Sequence, residues 1–478
     1  MQRNSVFQKR NFYRLKLQRP TENSGPPSVP LPVTIISGIC MIAMIGGFAL
    51  QIAGIDTGRP MDLGADGSLR SQIVLSLCYL VAILLLISSN FWTTVRHSWP
   101  VFILPLLGFL SMLWSPDPLL TLRKSVALSG TVLFGIAICS KFGTVGSLRL
   151  FLWTLSSIIV ASFVWVFVFP YQGVHQATDV FPFEAVHAGS WRGVIGHRTA
   201  LGQLAALSFV LVLFYGRVAF TSYAVRVAII TISLVCLYGA NSGAAYAVAG
   251  FMPVLLATLM LVGRCSFQIR IAALPFLTLA LLMIALFGGD LATLTLNALG
   301  KEPDLTGRVP LWGYLIGLAD QRPLLGYGLA AGFTKIVSPQ IEGIGYGQFL
   351  NAHNGFMEIL ISFGYVGLAL CLALLAWQFW IAARLLISGD EEKSHINAFP
   401  LAIFIYMIGA NVVESAFLAP NSWYAVLPAM AMVTASSELS ALRRLGARSR
   451  SLNSPPGLLK RQYRREPKRR LGVGSNPA

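Results

Sequence analysis

A chain of 478 residues that is 55% hydrophobic and only 12% charged cannot clothe a water-soluble fold of its size, so most of its surface must face lipid. Its net charge of +17 would suit a nucleic-acid binder if it were spread over folded domains, but it gathers at the two ends of the chain, which argues against that class. No Walker A loop, HExxH, CxxC or GxSxG motif occurs, which removes the recognisable ATPases and proteases.

Residues 1–32 form a Pro-containing leader with Arg3, Lys9, Arg10, Arg14, Lys16 and Arg19, read as a disordered cytoplasmic tail held near anionic inner-membrane lipids. The first apolar run, 33–53, is long enough to cross the roughly 30 Å hydrocarbon core. Equally apolar runs follow it, so it reads as a retained span and not a cleaved signal. The runs 71–89, 99–115, 122–140, 148–170, 199–216, 222–239, 243–262 and 270–288 complete a block of spans over 33–288. A second block over 364–440 holds 365–387, 398–414 and 422–440. The prediction is an all-α polytopic membrane protein of about twelve transmembrane helices. Residues 441–478 are a second basic tail, again expected to be disordered and cytoplasmic. With both ends inside, most of the 36 Lys and Arg residues fall on the cytoplasmic side, as the positive-inside rule requires. The six cysteines lie in or beside apolar runs and read as small core residues.

The polar length of the chain lies on the opposite side, in a loop at 171–197 and a larger segment at 289–363. Within the second, NAHNGFMEILISFG places Phe356, Ile359, Leu360 and Phe363 at helical spacing. It predicts a short amphipathic helix near the membrane face, capped by Asn351 or Asn354. No internal repeat and no matched pair of broken helices of the transporter kind is evident.

His175, His187, His197 and His353 share that outer side with Arg192, Arg198, Arg308 and Arg322. Outward arginines run against the positive-inside rule, and guanidinium groups match the oxygens of a lipid diphosphate or an anionic glycan. Salt bridging between loops is the competing explanation for any one of them. His353, just ahead of the short helix, suits proton removal from a hydroxyl, a hydrogen bond to phosphate, or a structural loop role. Glu358, one turn on from Asn354, is either a carboxylate that orients it or a solvated helix face. Arg123 and Lys124 at the start of a span hold phosphate or snorkel, and Glu414 at the end of another is an ambiguous buried acid. Trp191, Trp312, Tyr327 and Tyr346 are aromatic surfaces for a sugar or anchors at the interface.

Four stretches in order, LWSPDPLLTLRKS, WRGVIGHRTALGQ, TGRVPLWGYLIGLADQRPLLGYGLAAGF and AHNGFMEILISFGYVGL, resemble the O-antigen ligase and Wzy-type polysaccharide polymerase superfamily. The resemblance runs over roughly 33–440. The form GVIGHRTALGQ is most similar to succinoglycan-type exopolysaccharide polymerases, although Arg198-Thr199 stands where that subgroup often shows Lys-Asn. The resemblance implies a GT-C-like helical enzyme of the inner membrane that works on the periplasmic face without metal, nucleotide or other cofactor. It would transfer a glycan from an undecaprenyl-diphosphate-linked oligosaccharide to a hydroxyl. It assigns His353, Arg308 and Arg192 to catalysis, and Arg198, Arg123, Lys124, Arg322 and Glu358 become candidates for substrate binding. The same likeness implies a co-polymerase that regulates chain length as a partner, and the placing of charge in the two tails argues against nucleic acid.

Three activities fit such a chain: polymerisation of exopolysaccharide repeats, ligation of finished polymer to lipid A-core or protein, and transport of lipid-linked sugars. Nearly charge-free span cores and polar outer loops favour chemistry at the surface over transport.

Overall fold

Apolar runs of this length satisfy their backbone groups in lipid by forming helices, and helices make up almost all regular structure in the computed structural model. It describes residues 29–46, 69–89, 91–179, 185–276, 279, 308–343 and 351–453. Seven helices among these are long and apolar enough to cross a membrane, and four shorter apolar ones accompany them. This is a multi-pass membrane protein. The β structure among the described residues is the single bridge between Val174 and Trp191.

The helices fall on the predicted runs, with some differences. The first extends over Leu31–Gly46, and the rest of the run 33–53 lies outside the described residues. So does most of 277–288, the second half of the run at 270–288, together with 289–307 and 344–350 of the large outer segment. The runs 122–140 and 148–170 belong to one helical stretch, Pro118–Val168, broken at Gly143, where φ is 66°. The chain doubles back there: Cys139 and Ser147 touch at 3.5 Å, where a straight helix would hold them about 12 Å apart. At the other end, the last helix, Trp423–Asn453, continues past 440 into the basic tail expected to be disordered. Leu, Ala, Glu and Arg between 437 and 449 favour helix, and hydropathy does not register that.

Helix Arg198–Ala219 sits at the centre, with Leu201, Leu204, Leu207 and Leu211 fully buried. Outward-facing Leu77, Ile83, Val254 and Leu372 form an apolar exterior that suits lipid.

Helix Gly355–Ser388 breaks at Gly364, where φ is 65° and ψ −166°. The helix predicted for 355–363 is thus the short arm of a kinked element, and Ile359, Leu360 and Phe363 face a core, not the membrane surface. The groups freed by the break are paired by the segment 323–328. Tyr365 N–H and Val366 N–H donate to the carbonyls of Pro323 and Leu324 at 2.7 and 3.3 Å. Tyr327 N–H and Gly328 N–H donate to those of Ile361 and Ser362 at 2.8 and 2.9 Å. Irregular backbone is tolerable where protein buries and pairs it in this way. This segment and the residue after it dock on the other side, Leu325 O accepting from Trp114 Nε1–H at 2.9 Å and Leu329 O from Thr121 Oγ1–H at 3.0 Å.

Candidate functional site

The turn Asn351–Gly355 carries His353 in the left-handed region, at φ 47°, uncommon for a residue with a Cβ. The surroundings hold it there. His353 N–H donates to Asn351 Oδ1 at 2.9 Å, and Ala352 N–H donates to Glu358 Oε2 at 2.9 Å. Trp312 Nε1–H donates to Ala352 O at 3.0 Å, and Asn354 Nδ2–H to Val412 O at 3.3 Å. Asn354, not Asn351, is the helix cap, its Oδ1 accepting from Phe356 N–H and Met357 N–H.

Glu358 is buried, so the solvated-face reading does not hold. Its Oε2 also accepts from Ser415 Oγ–H at 3.3 Å, which makes it a tie between the turn and residues 412–416. The carboxylate beside the imidazole is Glu414, with Oε2 3.7 Å from His353 Nδ1. Asn411 fixes the backbone around it, its Oδ1 accepting from Ala416 N–H and Phe417 N–H at 3.0 and 2.7 Å. Hydropathy places Glu414 at the end of a span but gives no sign that this end meets His353.

The outer loop is organised by Arg192. Its Nε donates to Gln172 O at 2.9 Å and one terminal nitrogen to Tyr171 O at 3.1 Å. Its two terminal nitrogens meet the Asp179 carboxylate at 3.1 and 3.4 Å. A buried guanidinium held this way closes a loop, and in this conformation its donors are turned toward protein and not toward a ligand. Asp179 Oδ2 also lies 3.3 Å from His175 Nδ1. Burial, helped by the charge of Arg192, pushes His175 down to about 4. His197 is the cap of helix Arg198–Ala219, its Nδ1 accepting from Thr199 N–H at 3.3 Å. Burial, and then the neighbouring His175, lower it also to about 4, while Glu414 opposes that shift.

The other cations are spread out. Arg198 donates to Asn241 O at 2.9 Å, and Arg322 lies over the Tyr327 ring at 5.1 Å. Arg123 is exposed and Lys124 half-buried one to two turns into the helix that Asp117 caps. Lys335, which the sequence reading passed over, pairs with Asp117 at 3.6 Å. Arg308 opens helix Arg308–Ala319, and its side chain lies outside the described residues. Trp312 and Tyr327 use their polar atoms on Ala352 O and Leu318 O, and Trp191 packs at a tilt against Phe163 and edge-to-face against Phe167. These three act as packing anchors in this conformation; Tyr346 lies outside the described residues.

The structure therefore brings together His353, Glu414 and Glu358, and groups Arg192 with Asp179 and His175 in the adjoining loop. Compared with known proteins, the stretch that holds the His353 turn matches a family model. Residues 227–372 match the O-antigen ligase family. The matched stretch contains Arg308, Arg322, His353 and Glu358, while Arg192, Arg198, Arg123, Lys124 and Glu414 lie outside it. A stretch of 179 residues is 31% identical to the exopolysaccharide production protein ExoQ of Rhizobium meliloti (strain 1021). That similarity covers 34% of this chain and 40% of the relative, so the chain spans well under half of that protein's length. The resemblance is to the O-antigen ligase family and to a protein of exopolysaccharide production.

Proposed function

We propose that this chain is an inner-membrane glycosyltransferase, of about twelve spans in a GT-C-like arrangement, that polymerises exopolysaccharide repeat units on the periplasmic face. The donor is a glycan on undecaprenyl diphosphate, and the acceptor is a hydroxyl of another lipid-linked repeat. The acceptor oxygen bonds to the anomeric carbon as the bond from that carbon to the diphosphate oxygen breaks. The lipid diphosphate leaves with the electron pair, and the hydroxyl proton passes to His353. Glu414 steadies the imidazolium that forms. Arg308 balances charge on the departing diphosphate, and one preorganised donor of this kind can contribute about 10²–10³ in rate; Arg198, Arg123 and Lys124, spread apart, attract the anionic donor. Arg192 serves as the clamp of the outer loop, and Glu358 as the support of the His353 turn. The basic tails hold anionic lipid or a co-polymerase.

The observation that carries this reading is the His353 turn, held in an uncommon backbone conformation with its imidazole 3.7 Å from Glu414, inside the stretch that matches the O-antigen ligase family. The test is purified protein supplied with the lipid-diphosphate-linked repeat, without nucleotide sugar and with a chelator, read on a glycan gel. Wild type should give a ladder of multimers that His353→Ala and Arg308→Ala lose. Attachment of preformed polymer to lipid A-core or protein without a ladder would replace polymerase with ligase. Inactivity of folded wild type with every acceptor would favour transport.

A further inference from the structure

His353 and Glu414 come from segments far apart in the chain, and the 3.7 Å between them is set by whatever holds the two backbones together. The segments pass each other in opposite directions, with 353, 354 and 355 meeting 414, 412 and 411. Asn354 Nδ2–H donates to Val412 O at 3.3 Å, and Gly355 lies against the side chain of Asn411. Beyond this crossing the rings of Phe356 and Phe417 meet edge to face at 5.2 Å.

Asn411 sits beneath the crossing, fully buried, one turn from the end of helix Ser394–Val413. Its amide is bonded at three of the four places that an amide offers. Nδ2–H donates to Met407 O at 2.8 Å, within the helix, and Oδ1 accepts from Ala416 N–H and Phe417 N–H at 3.0 and 2.7 Å. Those last two bonds fold the chain back over the helix end, and Glu414 stands in the loop they close. The same amide also carries the turn of His353. Gly355 opens its helix outside the left-handed region, so its backbone conformation suits any residue. Space does not: a Cβ there would overlap Asn411 Oδ1 and lie 2.7 Å from Cγ and 3.0 Å from Cβ. Only a hydrogen fits between the turn and the amide.

We propose that Asn411 is a positioning residue: one buried amide touches both segments and sets the separation of His353 from Glu414, and Gly355 is the residue that must stay small for it. The consequence for turnover rests on the reaction proposed above; the spacing does not.

The test uses full-length protein in detergent, checked by gel filtration, with Asn411→Ala, Asn411→Asp, Gly355→Ala, and Asn411→Ala combined with Gly355→Ala. A displacement of about 1 Å at a reacting centre costs about 10²-fold in rate, so Asn411→Ala and Gly355→Ala should each lower kcat by about that factor with KM little changed. Asn411→Asp keeps Oδ1 and should lose far less. The combined variant should be no worse than Asn411→Ala alone, because the added methyl enters space that the amide has left. Spacing is also read without turnover. In a His353→Cys, Glu414→Cys protein, a short bifunctional methanethiosulfonate should bridge the two cysteines, with the bridged peptides identified by mass spectrometry. Adding Asn411→Ala or Gly355→Ala should lower that yield several-fold. Unchanged bridging in folded Asn411→Ala would overturn the proposal whatever happens to turnover, as would a loss from Gly355→Ala that simply adds to that from Asn411→Ala. If Asn411→Ala fails to fold, Gly355→Ala puts the same question from the other segment, and unchanged bridging there would overturn the proposal equally. Bridging that falls as expected in a chain with no polymerase activity would uphold the spacing and strike the reaction, so the two failures are distinct.

Discussion

At the scale of single residues, the sequence and the structure part most over the carboxylates and Arg192. Glu358 lies close to His353 in the chain, and Glu414 lies close to it in space; only the fold of residues 411–417 makes the second so. Outward charge alone does not distinguish an arginine that awaits a ligand from one that holds Asp179, because the partner is thirteen positions away in a loop with no periodic pattern. If Arg192 is a clamp, Arg192→Ala and Asp179→Ala should each lower thermal stability by about 3 kcal/mol, and the double variant should cost little more than either alone. A second prediction concerns His175 and His197. Both are held neutral in the folded loop down to about 4 and take up a proton at about 6.5 once it opens. The open form therefore binds more protons between those values. The loop keeps its full stability above about 6.5 and loses it as pH falls toward about 4. Hydrogen exchange in 185–197 should quicken over that window, and His175→Phe should flatten the response.

At the scale of elements, hydropathy locates the helices because lipid leaves the backbone no other economical choice. It does not see Gly364, because glycine is common in membrane helices and the break is decided by what packs against it. A Cβ there would meet the carbonyl groups of Pro323 and Leu324, and the backbone lies in a region that disfavours any residue but glycine. Gly364→Ala should lower the unfolding midpoint, with at least about 1–3 kcal/mol from the backbone alone. Because residues 361–366 lead into the His353 turn, activity should fall with stability, where Gly250→Ala, which meets open space, should leave both unchanged.

At the scale of the whole molecule, charge asymmetry and the resemblance together give an orientation that labelling can test. With native cysteines mostly buried and one partly so, a single cysteine at Val186, 80% exposed in the outer loop, should react with an impermeant maleimide added to intact cells. One at the exposed Glu392, on the opposite side, should react after the membrane is opened. The reverse pattern would invert the topology and place the His353 turn in the cytoplasm.

The pairing of 323–328 with the broken helix also sets an order of events during synthesis. Residues 323–328 leave the ribosome ahead of 361–366, so their complement arrives later, on a helix that must already be entering the bilayer. The two strips of backbone can join only after the second block of helices begins to insert. The chain therefore passes through a stage in which its first helices are threaded but the His353 turn has no stable shape. A chain cut short at that stage would hold residues 323–328 without the backbone groups that pair them.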